Sequence, residues 1–169
     1  TGKSTLLKVK NTGVFDYSCD LTIGVDFACM HINENGRDFP LLIYDLGGQK
    51  RFHFLHDSYL IGTKAAIILY DLTREKTFHK IPHWLALMNQ ENPEMPIIIG
   101  GSKKDLVQKE DLDNFMGLWA TISPQWKTKH NLIGHVFISS KNYCGLDRLF
   151  EKILRKIQDI PYFPPISSC

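Results

Sequence analysis

An α/β domain with a mostly parallel central sheet flanked by helices is the architecture this sequence implies, and three features imply it. Short apolar or β-branched runs recur along the chain, and segments with apolar residues at three- and four-residue spacing lie between the later runs. The unusual polar motifs fall directly after the runs, where a parallel sheet gathers its ligand-binding loops.

The elements follow in order. Apolar spacing near 3 to 10 predicts a helix opened by "TGKSTLL". "VDFACMHI" (25 to 32) and "FPLLIYD" (39 to 45) predict two strands, and the "NENG" between them (33 to 36) predicts a hairpin turn, so that pair is antiparallel. "AAIILYD" (65 to 71), "MPIIIGG" (95 to 101) and "HVFIS" (135 to 139) are further strands, separated by helical patterns at 75 to 91 and 109 to 120 and followed by one at 145 to 158. Pro82 falls inside the first of these and is expected to kink it or displace its start. The Pro- and Ser-rich "DIPYFPPISSC" is a tail, so the expected organisation is one domain over 1–158 and a flexible C-terminal tail over 159–169.

Composition narrows the function classes. A chain of 169 residues suffices for one domain that buries roughly two thirds of its unfolded surface. The net charge of +2, from 20 basic and 18 acidic residues, supplies no large positive field, so nucleic acid is not expected as a partner. Cys19, Cys29, Cys144 and Cys169 show neither CxxC nor metal-finger spacing, which points to a reducing, cytoplasmic setting; the first three are read as packing residues. No apolar stretch approaches 18 residues and no charged-then-apolar leader is visible, so neither a membrane span nor secretion is expected.

Four motifs carry chemistry. In Gly2-Lys3-Ser4-Thr5, a lysine at a helix start neutralises phosphate charge, the next hydroxyl can ligate a bridging Mg²⁺, and the helix N-terminus adds backbone donors. Taken alone, an ordinary Ser-rich helix cap fits as well. In Asp45-Leu46-Gly47-Gly48-Gln49, a strand-end aspartate needs a cationic or hydrogen-bonding partner, which a metal-bound water near Ser4 would be. Gly48 lets backbone approach a terminal phosphate, and Gln49 can orient an attacking water; a tight Gly-Gly turn with a solvated Gln is the plain alternative. Ser102-Lys103-Lys104-Asp105 and Ser139-Ser140-Lys141 each end a strand. Asp105 can accept two hydrogen bonds from the N1 and amino edge of guanine, Lys103 and Lys141 can sandwich the ring with their stems, and the Ser140 N–H can meet its O6. Either stretch alone is also compatible with a solvated loop.

Together, "GKST", "TIGVDF", "DLGGQKRF", "SKKDL" and "SSK" make the chain resemble a Ras-superfamily small GTPase, with "IGVDF" and "ILYDLT" giving it a Rab-like flavour up to about residue 158. The resemblance implies the P-loop NTPase fold, GTP/GDP and Mg²⁺ as ligands, and slow hydrolysis of GTP. It implies Lys3 on the β- and γ-phosphates, Ser4 and Thr22 on Mg²⁺, Asp45 on a metal water, Gly48 sensing the γ-phosphate and Gln49 positioning the hydrolytic water. Phe15 would pack edge-on against guanine or serve as a core aromatic, and Lys103, Asp105 and Lys141 would complete the base site.

The resemblance further implies effectors, an exchange factor and a GTPase-activating protein acting through residues near Thr22 and 47–58. Membrane attachment is expected only if Cys169 is lipidated, which would place the protein on the cytosolic face of a membrane; "ISSC" is neither a CaaX nor a paired-cysteine ending. Three departures stand out. Ser102 replaces the family's asparagine and shortens the reach toward base and phosphate loop, Lys50 replaces a glutamate, and the family's first strand and the front of its phosphate loop are not seen ahead of Gly2. The chain is therefore expected to be a fragment of a protein beginning on the order of ten to fifteen residues earlier. A pseudo-GTPase interaction module is the alternative function, favoured by Ser102 and the missing loop and opposed by Lys3, Thr22, Gln49 and Asp105. An adenine-nucleotide enzyme is disfavoured by the SKKD and SSK pair.

Overall fold

A computed structural model describes residues 1–16, 24–34, 37–47 and 59–158. Residues 35 and 36 of the expected hairpin turn and the expected tail 159–169 lie outside the described residues. Helix α1 spans Lys3–Thr12, followed by strands β1 (Val25–Glu34) and β2 (Arg37–Leu46). The remainder alternates: β3 (Ala66–Asp71), α2 (Ile81–Glu91), β4 (Ile97–Ser102), α3 (Lys109–Lys129), β5 (Leu132–Phe137) and α4 (Leu146–Gln158).

β3, β4 and β5 form a parallel sheet in that order, while β1 and β2 form a separate antiparallel pair with Phe27 opposite Tyr44 and Cys29 opposite Leu42. The parallel sheet is buried on both faces, which explains why its strands are continuous apolar runs rather than alternating ones. Strand alternation sends Ile68, Tyr70, Ile97 and Ile99 into a core with α2 and α3, where Phe78, Leu85 and Trp119 meet them. Ile67, Leu69, Ile98 and Val136 enter the opposite core with α1, α4 and one face of the hairpin, beside Leu6, Met30 and Phe150. Each fully buried aliphatic side chain contributes roughly 1.5–3 kcal/mol relative to exposure, so these cores fix where the strand ends lie.

The elements depart from expectation where a backbone signal competes with periodicity. The pattern at 75 to 91 divides into a 3₁₀ segment, Glu75–Lys80, and α2, whose first turn holds Pro82; proline fits there because the first-turn N–H has no intrahelical acceptor. α3 continues nine residues beyond the expected 120 despite the internal Pro124. Trp119, Ile122 and Trp126 keep its apolar stripe on the core, and that packing outweighs the single hydrogen bond proline removes. Cys29 and Cys144 are exposed rather than packed. Outward alternation along β1 places the first, and a surface turn places the second.

His135 is half-buried on β5, tilted by 32° against Trp119 at 4.8 Å, edge-on to Phe137 at 4.7 Å, and 3.0 Å through Nε2 from the Tyr70 hydroxyl. Burial lowers its pKa from the ordinary 6.5 to about 4. The folded ring is thus neutral where the unfolded ring takes up a proton, so this group withdraws stability as pH falls from 6.5 toward 4. Urea midpoints are expected to fall across that interval, by up to about 1.4 kcal/mol per pH unit from this group, and His135→Phe is expected to flatten that part of the profile.

Candidate functional site

The site is assembled from strand ends. Gly2 caps α1 with φ of +76°, the left-handed region that glycine enters without steric cost, and brings no side chain to the first-turn N–H groups. Lys3 and Ser4 then occupy the first turn. At the end of β2, the buried Asp45 accepts a hydrogen bond from the Ser4 hydroxyl, and Lys3 Nζ stands 4.0 Å from its other oxygen. A carboxylate in that position is tolerable because a hydroxyl and an ammonium face it. The hydroxyl and carboxylate are hard oxygen donors brought together beside a lysine, a set that suits Mg²⁺. Thr5 follows in the same helical turn.

The second half lies at the ends of β4 and β5. Ser102 is buried, and its hydroxyl oxygen lies 2.8 Å from each of two carbonyls, those of Thr1 and Tyr70. Although shorter than asparagine, it reaches the residue preceding Gly2, because β4 delivers its backbone directly beside that segment. Lys103 adopts φ of +65°, uncommon for a residue with a Cβ, and starts a 3₁₀ turn over Lys104–Leu106. That turn carries Asp105, half-buried, whose Oδ1 accepts the Ser139 hydroxyl at 2.6 Å. Ser139 also accepts the Asn142 N–H at 3.2 Å and donates its own N–H to the Cys144 carbonyl, closing the loop that presents Ser140 and Lys141. Lys104 N–H donates to the Ile138 carbonyl at 3.0 Å, tying the two loops together.

The structure therefore brings together Gly2, Lys3, Ser4, Thr5 and Asp45 on one side and Ser102, Lys103, Asp105, Ser139, Ser140 and Lys141 on the other, with the Ser102–Thr1 contact between them. Phe15 packs half-buried against the core that includes Leu6. Thr22, Gly48 and Gln49 lie outside the described residues. Their flanks are joined nonetheless: Gly47 N–H donates to the Gly24 carbonyl at 2.8 Å.

Two groups were not singled out from sequence. Asp71, fully buried at the end of β3, accepts Lys103 Nζ at 2.9 Å, Arg74 Nε at 3.0 Å and the N–H and hydroxyl of Thr73. Burial alone would raise its pKa, but the Lys103 and Thr73 hydrogen bonds bring it down to about 2. The argument applied to Asp45, an aspartate closing an apolar run, applies equally to "ILYD". Lys10 joins α1 to α4 by a 2.6 Å contact with Asp147, and to the preceding loop by a 3.2 Å contact with the Tyr143 hydroxyl. Burial opposes its charge, yet the Asp147 and Tyr143 hydrogen bonds raise its pKa.

A helix entered through Gly-Lys-Ser beside a strand-end carboxylate, with lysines and an aspartate on the next strand ends, defines a nucleotide-binding α/β domain of the P-loop kind. Comparison with known proteins agrees: a family model described as Ras family matches residues 1–159. Ras-related protein Rab-19 of Mus musculus is 30% identical over 157 residues, covering 92% of this chain and 70% of that protein. The Rattus norvegicus Rab-19 is 34% identical over 146 residues (81% and 67%), and the Xenopus laevis Rab-19 is 31% identical over 146 residues (81% and 68%). The chain belongs to the Ras family of small GTPases and is Rab-like. Guanine-nucleotide and Mg²⁺ binding, and a switch read by regulators and effectors, are general to that family.

Gly145 ends the base-side loop at φ of +75°, and a Cβ there would lie 2.4 Å from the Phe137 carbonyl oxygen. Gly145→Ala is expected to destabilise the domain by about 2 kcal/mol or more, measured as a lowered urea midpoint.

Proposed function

We propose that this chain is a guanine-nucleotide switch that hydrolyses GTP slowly, with the particular residues above as its site. The observation that supports this reading best is the convergence of the two halves: Ser102 on β4 bonds to the Thr1 carbonyl, so the base-side loop and the phosphate-side helix are held as one unit. In this reading Lys3 neutralises β- and γ-phosphate charge, Ser4 and Thr22 ligate Mg²⁺, and Asp45 holds a metal-bound water. Mg²⁺ held there would supply neutralisation of phosphate charge. Asp105, oriented by Ser139, accepts the guanine N1 and amino hydrogens; the Lys103 and Lys141 stems flank the ring; the Ser140 N–H meets O6. Gly48 senses the γ-phosphate and Gln49 aligns water for in-line attack.

Unaided turnover is expected on the order of 10⁻⁴ to 10⁻³ per second, with an activating protein supplying acceleration. GTP would order the segments around Thr22 and 47–58 for effectors to read. Exposed apolar side chains on the outer face of the hairpin, Phe27, Leu42 and Tyr44, with Tyr59 5.4 Å from Tyr44, extend that surface. Among the described residues no helix is long and apolar enough to cross a membrane. A role in vesicle transport at the cytosolic face of a membrane is proposed from the Rab likeness, with Cys169 as a candidate residue for a lipid.

Competition between GTP and ATP for a labelled GDP complex tests the base assignment: GTP is expected to displace the label at concentrations at least a hundredfold lower, and equal potency would refute it. Gln49→Leu is expected to cut GTP hydrolysis at least tenfold in a single-turnover phosphate-release assay while GDP affinity holds. Unchanged turnover would remove Gln49 from the chemistry.

A further inference from the structure

Lys103 has an unusual posture. Its backbone sits in the left-handed region, its carbonyl accepts the Leu106 N–H at 3.0 Å, and the next residue's N–H is bound to the Ile138 carbonyl beyond β5. Its ammonium crosses to β3 and bonds Asp71 at 2.9 Å. Lys103 and its neighbour Lys104 thus tie together the ends of three parallel strands. A lysine stem is flexible, and using it as a wall for a planar ring costs the rotamer freedom of four carbons unless something already holds its far end. Asp71 does so: it is fully buried, while Lys103 remains 41% exposed, so the anchored end lies inside and part of the lysine stays open to a ligand.

The carboxylate is itself immobilised. Thr73 bonds Oδ1 through both N–H and hydroxyl, Arg74 shares Oδ2, and the Asp71 N–H is taken by the Thr77 hydroxyl at 2.8 Å. With one negative and two positive charges, the cluster retains a net positive charge beside the loop that Ser102 fastens to Thr1. We infer that Asp71 is a positioning residue of the nucleotide site, holding the Lys103 ammonium so that the lysine stem stands as a preformed wall against the base. The inference rests on the guanine-site reading above and adds to it a residue that never touches the nucleotide.

A double-mutant cycle on the full chain tests it, with labelled-GDP affinity as the readout. Asp71→Asn is expected to weaken GDP binding about tenfold, Lys103→Met by a similar factor, and the double variant no more than Lys103→Met alone. A purely structural role for Asp71 would not produce that coupling, so an undiminished Asp71→Asn loss in the Lys103→Met background overturns the inference, as does an Asp71→Asn affinity equal to wild type. If wild type itself binds GDP no better than ADP, the guanine-site reading falls and the inference falls with it. Should Asp71→Asn fail to fold, ¹⁵N-lysine NMR of wild type decides: a protected Lys103 ammonium signal at neutral pH, kept when GDP binds, supports the anchor, and a Lys103 signal in fast exchange with water refutes it.

Discussion

A carboxylate can end a buried strand only if donors surround it, and two aspartates under that constraint organise this molecule. Leaving a charge uncompensated in the interior costs several kcal/mol, a large share of the stability of a single domain. Asp45 therefore gathers Ser4 and Lys3 from α1, and Asp71 gathers Lys103, Arg74 and Thr73. At Asp45 the requirement of the fold and that of the proposed polyanionic ligand point the same way, because the lysine and hydroxyl brought to the strand end for one purpose stand ready for the other; at Asp71 the ammonium of Lys103 is held and part of that lysine stays exposed.

The geometry of the parallel sheet makes this economical. All three parallel strands end on the same edge, so loops far apart in sequence, those at 102–105 and 139–141, become neighbours without long connections. Short hydrogen bonds then lock loop to loop: Ser139 to Asp105, Lys104 to Ile138, Ser102 to Thr1. Under the proposed guanine-site reading the consequence is preorganisation, since a base would find these partners already restrained and lose less of its binding energy to ordering them.

The replacement of the family's asparagine by Ser102 illustrates how context resets a residue's value. A serine is too short to copy an asparagine through space, yet it can retain a tether if the backbone carries it closer. Here it is buried between two carbonyls, and its hydroxyl joins β3, β4 and the segment leading into α1. The pseudo-GTPase alternative drew on that substitution, and the tether weakens that ground for it.

Much of this was legible one residue at a time. Apolar runs marked the strands, Gly-Lys-Ser marked a helix start, and Asp45 stood out as a carboxylate placed where carboxylates are costly. These signals are local, since each depends on chemistry that a residue and its near neighbours carry with them. What could not be read is long-range partnership: that Asp71 would take the Lys103 ammonium, that Ser139 would hold Asp105, that Lys10 would latch α1 to Asp147, and that α3 would run through Pro124 to Lys129. Those outcomes depend on distances between elements, which are set when two apolar cores close on the faces of one sheet, and no spacing along the chain encodes them.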